Sequence, residues 1–252
     1  MASQITGLAV GLGPFAHERE AEVCRHVTGD RAHGLDTVTA TPETFDRGSW
    51  ERRWTRALRE HADVVARRPP NAYLLDVAAA LRPGLALDAG CGHGAETLWL
   101  ATHGWRVTAV DFAATALDHA RASAEAVGGD VAARVDWRQA DLATWTPPPG
   151  RYDFVTCLYV HLAGTVEGTV RRLAAGVAPG GTLLLVGHRP TDPATGAATP
   201  AAGQVQISVD TAVAALEPGD WEIVVAEDRR RAAADTGVDA VVHARRLVSR
   251  PS

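Results

Sequence analysis

The sequence contains no lysine: its 25 basic residues are all arginine, against 30 acidic residues and a formal net charge of −5. An acidic chain with scattered arginines lacks the basic stripe that attracts a phosphate backbone, so nucleic acid is not expected as a partner. Cysteine is also scarce, and Cys24, Cys91 and Cys157 are odd in number and far apart. This spacing indicates neither a disulfide framework nor a zinc site.

Long apolar runs are missing as well. No stretch reaches the length of a membrane span, and the first residues lack the positive start, apolar core and cleavage site of a signal peptide. We therefore expect a protein of the reducing cytoplasm with no membrane partner. The sequence carries no signal for an oligomeric state.

The length and composition of the chain fit one α/β domain with an N-terminal extension. A chain of 252 residues with 46% hydrophobic and 22% charged content can bury the core of one such domain. Residues 1–41 begin Gly-rich and show no pattern to which we assign a function. Thr41 and Pro42 resemble a helix start, and the folded domain is expected to cover residues 42–252.

Short apolar runs alternate with helical segments through most of this domain. Strands are predicted at 85–88, 106–110, 135–139, 154–158 and 182–186, and helices at 50–65, 71–81, 95–102, 113–127 and 166–177. This alternation is typical of a Rossmann-like, doubly wound parallel sheet with helices on both faces. Strands at 221–226 and 239–244 are predicted to form a hairpin at the sheet edge. Residues 188–202, after the fifth strand, form either a lid or a plain surface loop.

A glycine-rich turn follows the first strand. The run Leu-Ala-Leu-Asp-Ala-Gly-Cys-Gly-His-Gly-Ala-Glu-Thr predicts a buried strand that ends at Asp88 and turns through Gly90, Gly92 and Gly94 into a helix. Glycine permits positive φ and close approach of a ligand, and the helix start presents N–H groups without intrahelical partners. The turn therefore predicts a cradle for a nucleoside cofactor.

Acidic residues end the next two strands. Asp111 lies 23 residues after Asp88, where a carboxylate can accept hydrogen bonds from both ribose hydroxyls. Asp141 follows the third strand, where its carboxylate can accept from an adenine amino group while the N–H of Leu142 reaches a ring nitrogen. Together with Asp88 they form a set at consecutive strand ends.

The identity of the cofactor depends on Asp88. Gly90 and Gly92, followed by Ala95, fit the loose dinucleotide pattern. A carboxylate two residues before the first glycine would face the pyrophosphate of NAD and repel it. S-adenosylmethionine has no phosphate and carries ammonium and sulfonium cations, which the same carboxylate attracts directly or through water. The residues therefore favour S-adenosylmethionine.

Residues from about Trp50 to Arg246 resemble a class I S-adenosylmethionine-dependent methyltransferase. The glycine-turn run and Gly-Trp-Arg-Val-Thr-Ala-Val-Asp-Phe, ending at Phe112, are especially similar to the branch with tellurite-resistance and thiopurine methyltransferases. The resemblance implies a seven-stranded, mostly parallel sheet with an antiparallel last strand. It also implies S-adenosyl-L-homocysteine as product and methyl transfer to a small molecule. The branch favours a sulfur, selenium or tellurium acceptor, while oxygen and nitrogen remain compatible with the sequence.

The resemblance also implies the roles of particular residues. The methionine portion is held by Asp88, Gly90, Gly92 and Gly94, the ribose by Asp111, one adenine face by Phe112 and the adenine edge by Asp141 with Leu142. Cys91 in the turn and Cys157 at the end of the fourth strand are also placed at the cofactor site. Trp50 and Trp54 resemble paired tryptophans that cover the methionine arm, but their i, i+4 spacing is equally that of a core-packing stripe.

The acceptor pocket is expected beyond the fourth strand. In-line methyl displacement needs an aligned nucleophile, exclusion of water and, for some acceptors, a base. His161, whose type has a reference pKa of about 6.5, is the candidate general base, with a pocket wall as the alternative role. Tyr159 is a candidate to orient the acceptor, or it packs on the sheet. No metal site is predicted, because Cys91 and His93 have no further ligand residues beside them.

Residues after the fifth and sixth strands complete these expectations. His188 and Arg189 are expected near the same pocket, where Arg189 would suit an anionic acceptor or is a solvated loop arginine. Arg229 to Arg231 are expected to form a solvated turn. Two other functions stay open at this point. They are a non-catalytic or regulatory S-adenosylmethionine-binding homologue and an NAD-dependent oxidoreductase.

Overall fold

A seven-stranded sheet forms the centre of the protein, with the strand order β3-β2-β1-β4-β5-β7-β6. The computed structural model describes residues 47–161, 164–199, 201, 205–231 and 237–248. The predicted Rossmann-like α/β fold is confirmed. The extension 1–41, with Cys24 and the helix start at Thr41, lies outside the described residues.

The strands and helices alternate along most of the chain. The strands are β1 Leu85–Ala89, β2 Arg106–Asp111, β3 Val135–Gln139, β4 Tyr152–Leu158, β5 Val177–His188, β6 Trp221–Arg230 and β7 Val238–Arg246. The helices are α1 Arg47–Ala66, α2 Ala72–Ala78, α3 Ala95–Thr102, α4 Ala114–Val127, α5 Gly129–Ala132, α6 Val166–Ala175 and α7 Val209–Ala214.

Strand direction determines where a site can form. Strands β1 to β5 run parallel, so their carboxyl ends meet at one edge of the sheet. Strand β7 is antiparallel to both β5 and β6, and it lies between them, which leaves β6 at the outer edge. The predicted hairpin and antiparallel last strand are therefore confirmed.

Both faces of the central strands are buried, and β5 shows how. Leu183 and Leu185 belong to a core that α6 and α7 cover, whereas Leu184 and Val186 belong to a core on the face of α2 and α3. Alternate residues of a strand point to opposite faces. A strand covered on both sides therefore reads as a continuous apolar run.

Helix α1 packs outside these two cores. Its residues Trp54, Ala57 and Val65 form a third cluster with Ala113 and Ala116 at the start of α4. The backbone of α1 leaves helical geometry at His61, where φ is −140° and ψ is 33°. This kink divides α1 into two segments.

Several element boundaries differ from the prediction for physical reasons. Strand β5 begins five residues before the predicted Thr182, because it continues past a register shift against Tyr152 and Phe154. Helix α2 ends at Ala78, and the next residues form i to i−3 hydrogen bonds of a tighter turn. The short helices α5 and α7 are not predicted, although Ser208 caps α7 by accepting from the N–H of Thr211.

The segment after β5 folds back on itself. Thr191 and Ala198 form an isolated antiparallel bridge, and the Asp192 carboxylate is paired with Arg230 at the end of β6. This pairing ties the described part of the segment to the edge strand. A lid role for residues 188–202 stays a prediction.

Gly187 provides a test of how β5 packs. An added Cβ would lie 2.6 Å from the carbonyl oxygen of Ile207, so we expect Gly187→Ala to lower the free energy of unfolding by about 1–3 kcal/mol in a urea titration. Gly129→Ala is the matched control, because its Cβ would meet nothing within 4 Å, and it should be neutral or stabilising by up to about 1 kcal/mol. Equal effects of both changes would contradict the packing argument.

Candidate functional site

The glycine turn has the backbone geometry that the sequence predicts. Gly90, Gly92 and Gly94 all have positive φ, at 85°, 51° and 87°. Residues with a Cβ rarely adopt such values. Gly94 is also the N-cap of α3, so the turn leads directly into a helix start.

The turn leaves no room for a Cβ at any of these glycines, and at Gly94 the Cβ would lie 2.9 Å from that of Ala120. A Cβ on Gly90 would lie 2.2 Å from a methyl of Val160, and one on Gly92 would lie 2.9 Å from the Trp54 ring. The close approach at Gly92 shows that α1 lies directly against the turn. The backbone of the cradle is therefore fixed from outside by side chains of other elements.

Asp111 connects the turn to the start of α4. One carboxylate oxygen accepts from the N–H of Gly92 and the other from the N–H of Ala113, both at 2.9 Å. Burial raises the pKa of Asp111 above its ordinary value, although these backbone hydrogen bonds oppose the shift. Each oxygen keeps a second lone pair, so the carboxylate can also accept from a ligand hydroxyl.

Asp88 lies deeper, with 3% of its surface exposed. Thr97 on α3 donates its hydroxyl proton to the carboxylate at 2.6 Å. Burial, together with the nearby charges of Glu96 and Asp111, raises the pKa of Asp88 to about 7. The sequence analysis did not find Thr97 or Glu96 as partners, although both lie in the same motif.

These acids have no compensating cation within the part of the chain that the structure describes. The ion pairs there involve neither Asp88 nor Glu96 nor Asp111. Glu96 accepts instead from the backbone N–H of Asn71 at 3.0 Å. A positively charged ligand would lower the cost of burying this negative charge, whereas a pyrophosphate would raise it.

The residues assigned to adenine lie after β3 and β2. Asp141 is exposed, and its carboxylate accepts from the N–H of Ala143 at 2.8 Å. Leu142 is buried, and its carbonyl accepts from Arg172 at 2.9 Å. Phe112 is half-buried beside the α1 cluster. Because β1, β2 and β3 are adjacent and parallel, the three predicted acids share one edge of the sheet.

The two tryptophans of α1 contact different parts of this edge. Trp54 is buried in the third cluster, and its ring centroid lies 5.6 Å from that of His93 in the glycine turn. Trp50 lies 5.0 Å from the ring of His161, beyond the end of β4. Trp54 is thus a core residue that also touches the turn. Coverage of a cofactor by this pair stays a prediction.

Glu51 is a residue that sequence reasoning missed. Its carboxylate accepts from the N–H of Ala114 at 2.6 Å and from that of Thr115 at 3.2 Å. Although burial raises its pKa, hydrogen bonds from Thr115 and from both N–H groups lower the pKa of Glu51 more. Ala113 offers no side-chain cap, so Glu51 caps α4 from another helix. No local motif reveals a contact across 63 residues.

Tyr159 directly follows the carboxyl end of β4. Its φ is 55°, which is rare for a residue with a side chain. Its hydroxyl donates to Asp239 at 2.9 Å and lies 3.4 Å from the side-chain nitrogen of Asn71. Its ring stacks on His188 at 4.1 Å between centroids. These contacts hold the strained backbone in place.

Asp239, at the start of β7, is a second residue that the sequence analysis missed. It is buried, and it accepts hydrogen bonds from Tyr159, Arg231 and His188. Burial raises its pKa, but the hydrogen bonds from His188 and Arg231 outweigh burial and hold the pKa of Asp239 below its ordinary value. A charged aspartate therefore lies at the centre of the cluster that Tyr159, His188 and Arg231 form around it.

The prediction of a turn at Arg229 to Arg231 is wrong, because Arg229 and Arg230 belong to β6, although the Arg230 side chain is solvated as predicted, with 60% of its surface exposed. Arg229 lies over the Tyr73 ring at 5.4 Å, Arg230 pairs with Asp192, and Arg231 pairs with Asp239 at 2.7 Å. These residues end a strand, where successive side chains point to opposite faces and reach different partners. Arg189, proposed for an anionic acceptor, is paired with Asp228 at 3.4 Å.

His161 is buried near this Asp239 cluster. Its Nε2 lies 3.4 Å from the amide nitrogen of Gln206. Gln206 also accepts from the backbone N–H of His188 at 2.6 Å, which links the ends of β4 and β5. Tyr159 and His161 thus both follow the carboxyl end of β4. Their catalytic roles stay predictions.

Both cysteines of the described chain, Cys91 and Cys157, are buried. Burial raises the pKa of the Cys157 thiol to about 12 and that of Cys91 well above its ordinary value, with nearby Asp88 and Asp111 adding to the shift at Cys91. A protonated thiol is a poor nucleophile. Among the described residues no cluster of His, Cys, Asp and Glu could hold a metal ion, and no helix is long and apolar enough to cross a membrane.

Residues 86–181 match a family model described as a methyltransferase domain. With the strand order and the glycine turn, this match decides the family. Residues 86–181 are therefore a class I S-adenosylmethionine-dependent methyltransferase domain. S-adenosylmethionine is the cofactor of this family, and uncompensated carboxylates around a glycine cradle fit its cationic groups. The tellurite-resistance and thiopurine branch stays a prediction.

Proteins similar to this chain have names that give different acceptors. Ribosomal RNA small subunit methyltransferase C of Alcanivorax borkumensis is 31% identical over 118 residues, 43% of this chain and 33% of the relative. Trans-aconitate 2-methyltransferase of Paracidovorax citrulli is 33% identical over 138 residues, 52% of this chain and 49% of the relative. The chain thus spans half or less of these two relatives.

A solved structure shares the fold of this chain. N-methyltransferase NodS from Bradyrhizobium japonicum, in complex with S-adenosyl-L-homocysteine, aligns with a TM-score of 0.61 at 19% identity. The alignment covers 80% of this chain and 99% of that chain.

The raised pKa of Asp88 predicts a pH-dependent stability. An aspartate whose pKa rises on folding from 3.8 to about 7 destabilises the ligand-free fold increasingly as pH increases through this interval. Asp88→Asn removes the charge and keeps an acceptor for Thr97, so its melting temperature should exceed the wild-type value by at least about 3 °C at pH 8. At pH 4 the two proteins should melt within about 1 °C. Asp136→Asn, at an exposed site on β3, is the control, and a pH-independent difference would contradict the prediction.

Removing the cap that Glu51 provides should weaken the docking of α1. Glu51→Gln loses the charge at the N-terminus of α4, and we expect a loss of about 1 kcal/mol in the free energy of unfolding. Glu60→Gln on the same helix, where the carboxylate is exposed and pairs only with Arg59, should change it by less than about 0.5 kcal/mol. Chemical denaturation of both variants measures the difference, and equal losses would refute the cap.

Proposed function

We propose that the protein transfers a methyl group from S-adenosylmethionine to a small-molecule acceptor. The observation that carries the proposal is the group of buried carboxylates at the glycine turn, with Asp88 and Asp111 at its centre and no cation paired with them among the described residues. Such a site favours a cofactor that is positively charged and has no phosphate.

The cofactor-binding residues in this proposal are those that line the turn and the adjacent strand ends. They are Asp88, Gly90, Gly92 and Gly94 for the methionine portion, Asp111 for the ribose, and Phe112, Asp141 and Leu142 for adenine. Once bound, S-adenosylmethionine supplies an electrophilic methyl group on a positively charged sulfur. Trp54 excludes water from the turn, and Trp50 does so beside His161.

The acceptor-side residues position the nucleophile and receive its proton. His161 is buried between Trp50 and Gln206 at the carboxyl end of β4, which is where a base would meet an acceptor that loses a proton on methylation. Tyr159 forms a wall of the pocket, and its hydroxyl is bonded to Asp239. In this proposal Asp239 is a positioning residue that acts through Tyr159 and His188.

The choice of a small acceptor rests on charge and on wall chemistry. The net charge of −5 opposes binding of a phosphate backbone, although one relative acts on ribosomal RNA. The described wall residues are aromatic and hydrogen-bonding groups, namely Trp50, Tyr159, His161 and His188. Such a lining is typical of a pocket for a small organic molecule.

Calorimetry tests the cofactor. S-adenosylmethionine should bind, and NAD should not. Asp111→Asn should weaken binding by about 1.5–3 kcal/mol, the range for hydrogen bonds to charged groups, while Asp136→Asn should leave it unchanged. Because a cation lowers the raised pKa of Asp88, binding at pH 7 should also release protons, detected as a dependence of the heat on the buffer. Tighter binding of NAD would favour an oxidoreductase.

Methyl transfer to a panel of thiol, phenol, amine and carboxylate acceptors tests the reaction. His161→Gln should reduce kcat at least tenfold for an acceptor that must lose a proton and leave cofactor affinity unchanged. His103→Gln, at an exposed site stacked on Trp99, is the control. Cofactor binding without transfer to any acceptor would favour a non-catalytic homologue, and normal turnover of His161→Gln across pH would make His161 a wall residue only.

A further inference from the structure

Glu96 is an acid beside the glycine turn to which the cofactor assignment gives no role. It lies in the first turn of α3, two residues after the N-cap Gly94, and it is half-buried. Asp88, by contrast, is buried at the end of β1 and bonded to the Thr97 hydroxyl. The two carboxylates near the start of α3 therefore differ in their access to a ligand.

A backbone contact fixes the Glu96 carboxylate at this position. Its Oε1 accepts from the N–H of Asn71 at 3.0 Å. Asn71 is buried, and its side-chain nitrogen lies 3.4 Å from the hydroxyl of Tyr159, the residue that follows β4. Strands β1 and β4 are adjacent and parallel, so their carboxyl ends lie side by side. Asn71 thus holds Glu96 beside the edge where these two strands end.

The charge of Glu96 also acts on the cradle. After burial, it is the largest cause that raises the pKa of Asp88, and it adds to the raised pKa of Cys91 in the turn. A carboxylate can accept about four hydrogen bonds, and the N–H of Asn71 uses one of them. Glu96 therefore retains acceptor capacity for a ligand bound at the turn.

The chemistry of the cofactor indicates which group would use this capacity. The methionine portion of S-adenosylmethionine carries an α-ammonium group, which has a positive charge and three N–H donors, and a carboxylate, which Glu96 would repel. With a pKa of about 7, Asp88 is partly protonated at neutral pH and is then the weaker partner for a cation. The ammonium group matches the half-buried Glu96 in charge and in hydrogen bonding.

We propose that Glu96 binds the α-ammonium group of the cofactor and so selects S-adenosylmethionine and S-adenosylhomocysteine over adenosine thioethers that lack this group. Asn71 is a positioning residue that acts through Glu96. The inference rests on the proposed function, because it takes the methionine portion to lie at the glycine turn.

The test is isothermal titration of the full chain with three adenosine thioethers. They are S-adenosylhomocysteine, its deaminated analogue, which keeps the carboxylate, and 5′-methylthioadenosine, which lacks the whole amino acid. Glu96→Gln keeps an oxygen that accepts from Asn71 and removes only the charge. It should weaken S-adenosylhomocysteine at least about tenfold, as expected for a hydrogen bond to a charged group. The affinity for 5′-methylthioadenosine should stay within about twofold, and the deaminated analogue should bind no more weakly than to the wild type.

Glu125→Gln, at an exposed position on α4, is the matched control, because it changes the net charge equally and should leave all three affinities unchanged. Cooperative thermal unfolding and binding of 5′-methylthioadenosine verify that Glu96→Gln is folded. Unchanged affinity for S-adenosylhomocysteine, or equal weakening of all three ligands by Glu96→Gln, would overturn this inference alone. A wild type that binds no S-adenosylhomocysteine would overturn the proposed cofactor site together with it.

Discussion

The crowding of negative charge at the ends of β1 and β2 is the constraint on which the rest of the site depends. Asp88, Glu96 and Asp111 lie close enough to raise the pKa of Asp88, and the described chain supplies them with no cation. Burial of such groups is tolerated only where hydrogen bonds satisfy them. The Thr97 hydroxyl and the N–H groups of Gly92 and Ala113 provide those bonds to Asp88 and Asp111, which ties the shape of the turn to the position of the acids.

A second layer of contacts holds this arrangement in place from outside the motif. Glu51 caps α4, and Trp54 lies on Gly92, so α1 contacts both ends of the segment that Asp111 connects. The hydrogen bonds of Asp111 to Gly92 and Ala113 lie between these two contacts. The cradle is thus one hydrogen-bonded unit with α1 as its cover, rather than a glycine loop alone.

The parts of the fold that depend on local pattern could be predicted from the sequence. Both faces of β1 and β2 are buried, and each strand ends near an acid, so their apolar runs and the glycine turn between them are visible without a structure. The contacts of Glu51, Asp239 and Arg231 could not be found this way, because each joins elements that meet only after folding. The sequence offers one signal for Asp239. It is an acidic residue at the start of a predicted strand, and the predicted hairpin places that strand at the sheet edge.

The pattern of charges along the sequence also gave one wrong prediction, at Arg229 to Arg231. Three adjacent charges cannot all point into one site, which predicts a solvated turn, but at the end of β6 each arginine has its own partner. Net charge describes association and solubility, whereas the position of a side chain on a strand decides its partner. Arg231 is therefore part of a buried network that composition could not reveal.

The kink of α1 at His61 separates two kinds of support around the site. On one side, Asp239 joins Tyr159, His188 and Arg231 at the ends of four strands, so these side chains share one hydrogen-bonded network. On the other side, Trp50, Glu51 and Trp54 all precede the kink, while Val65 packs in the third cluster after it. The contacts on the glycine turn therefore come from one helix segment, whereas the network at Asp239 combines residues of four strands.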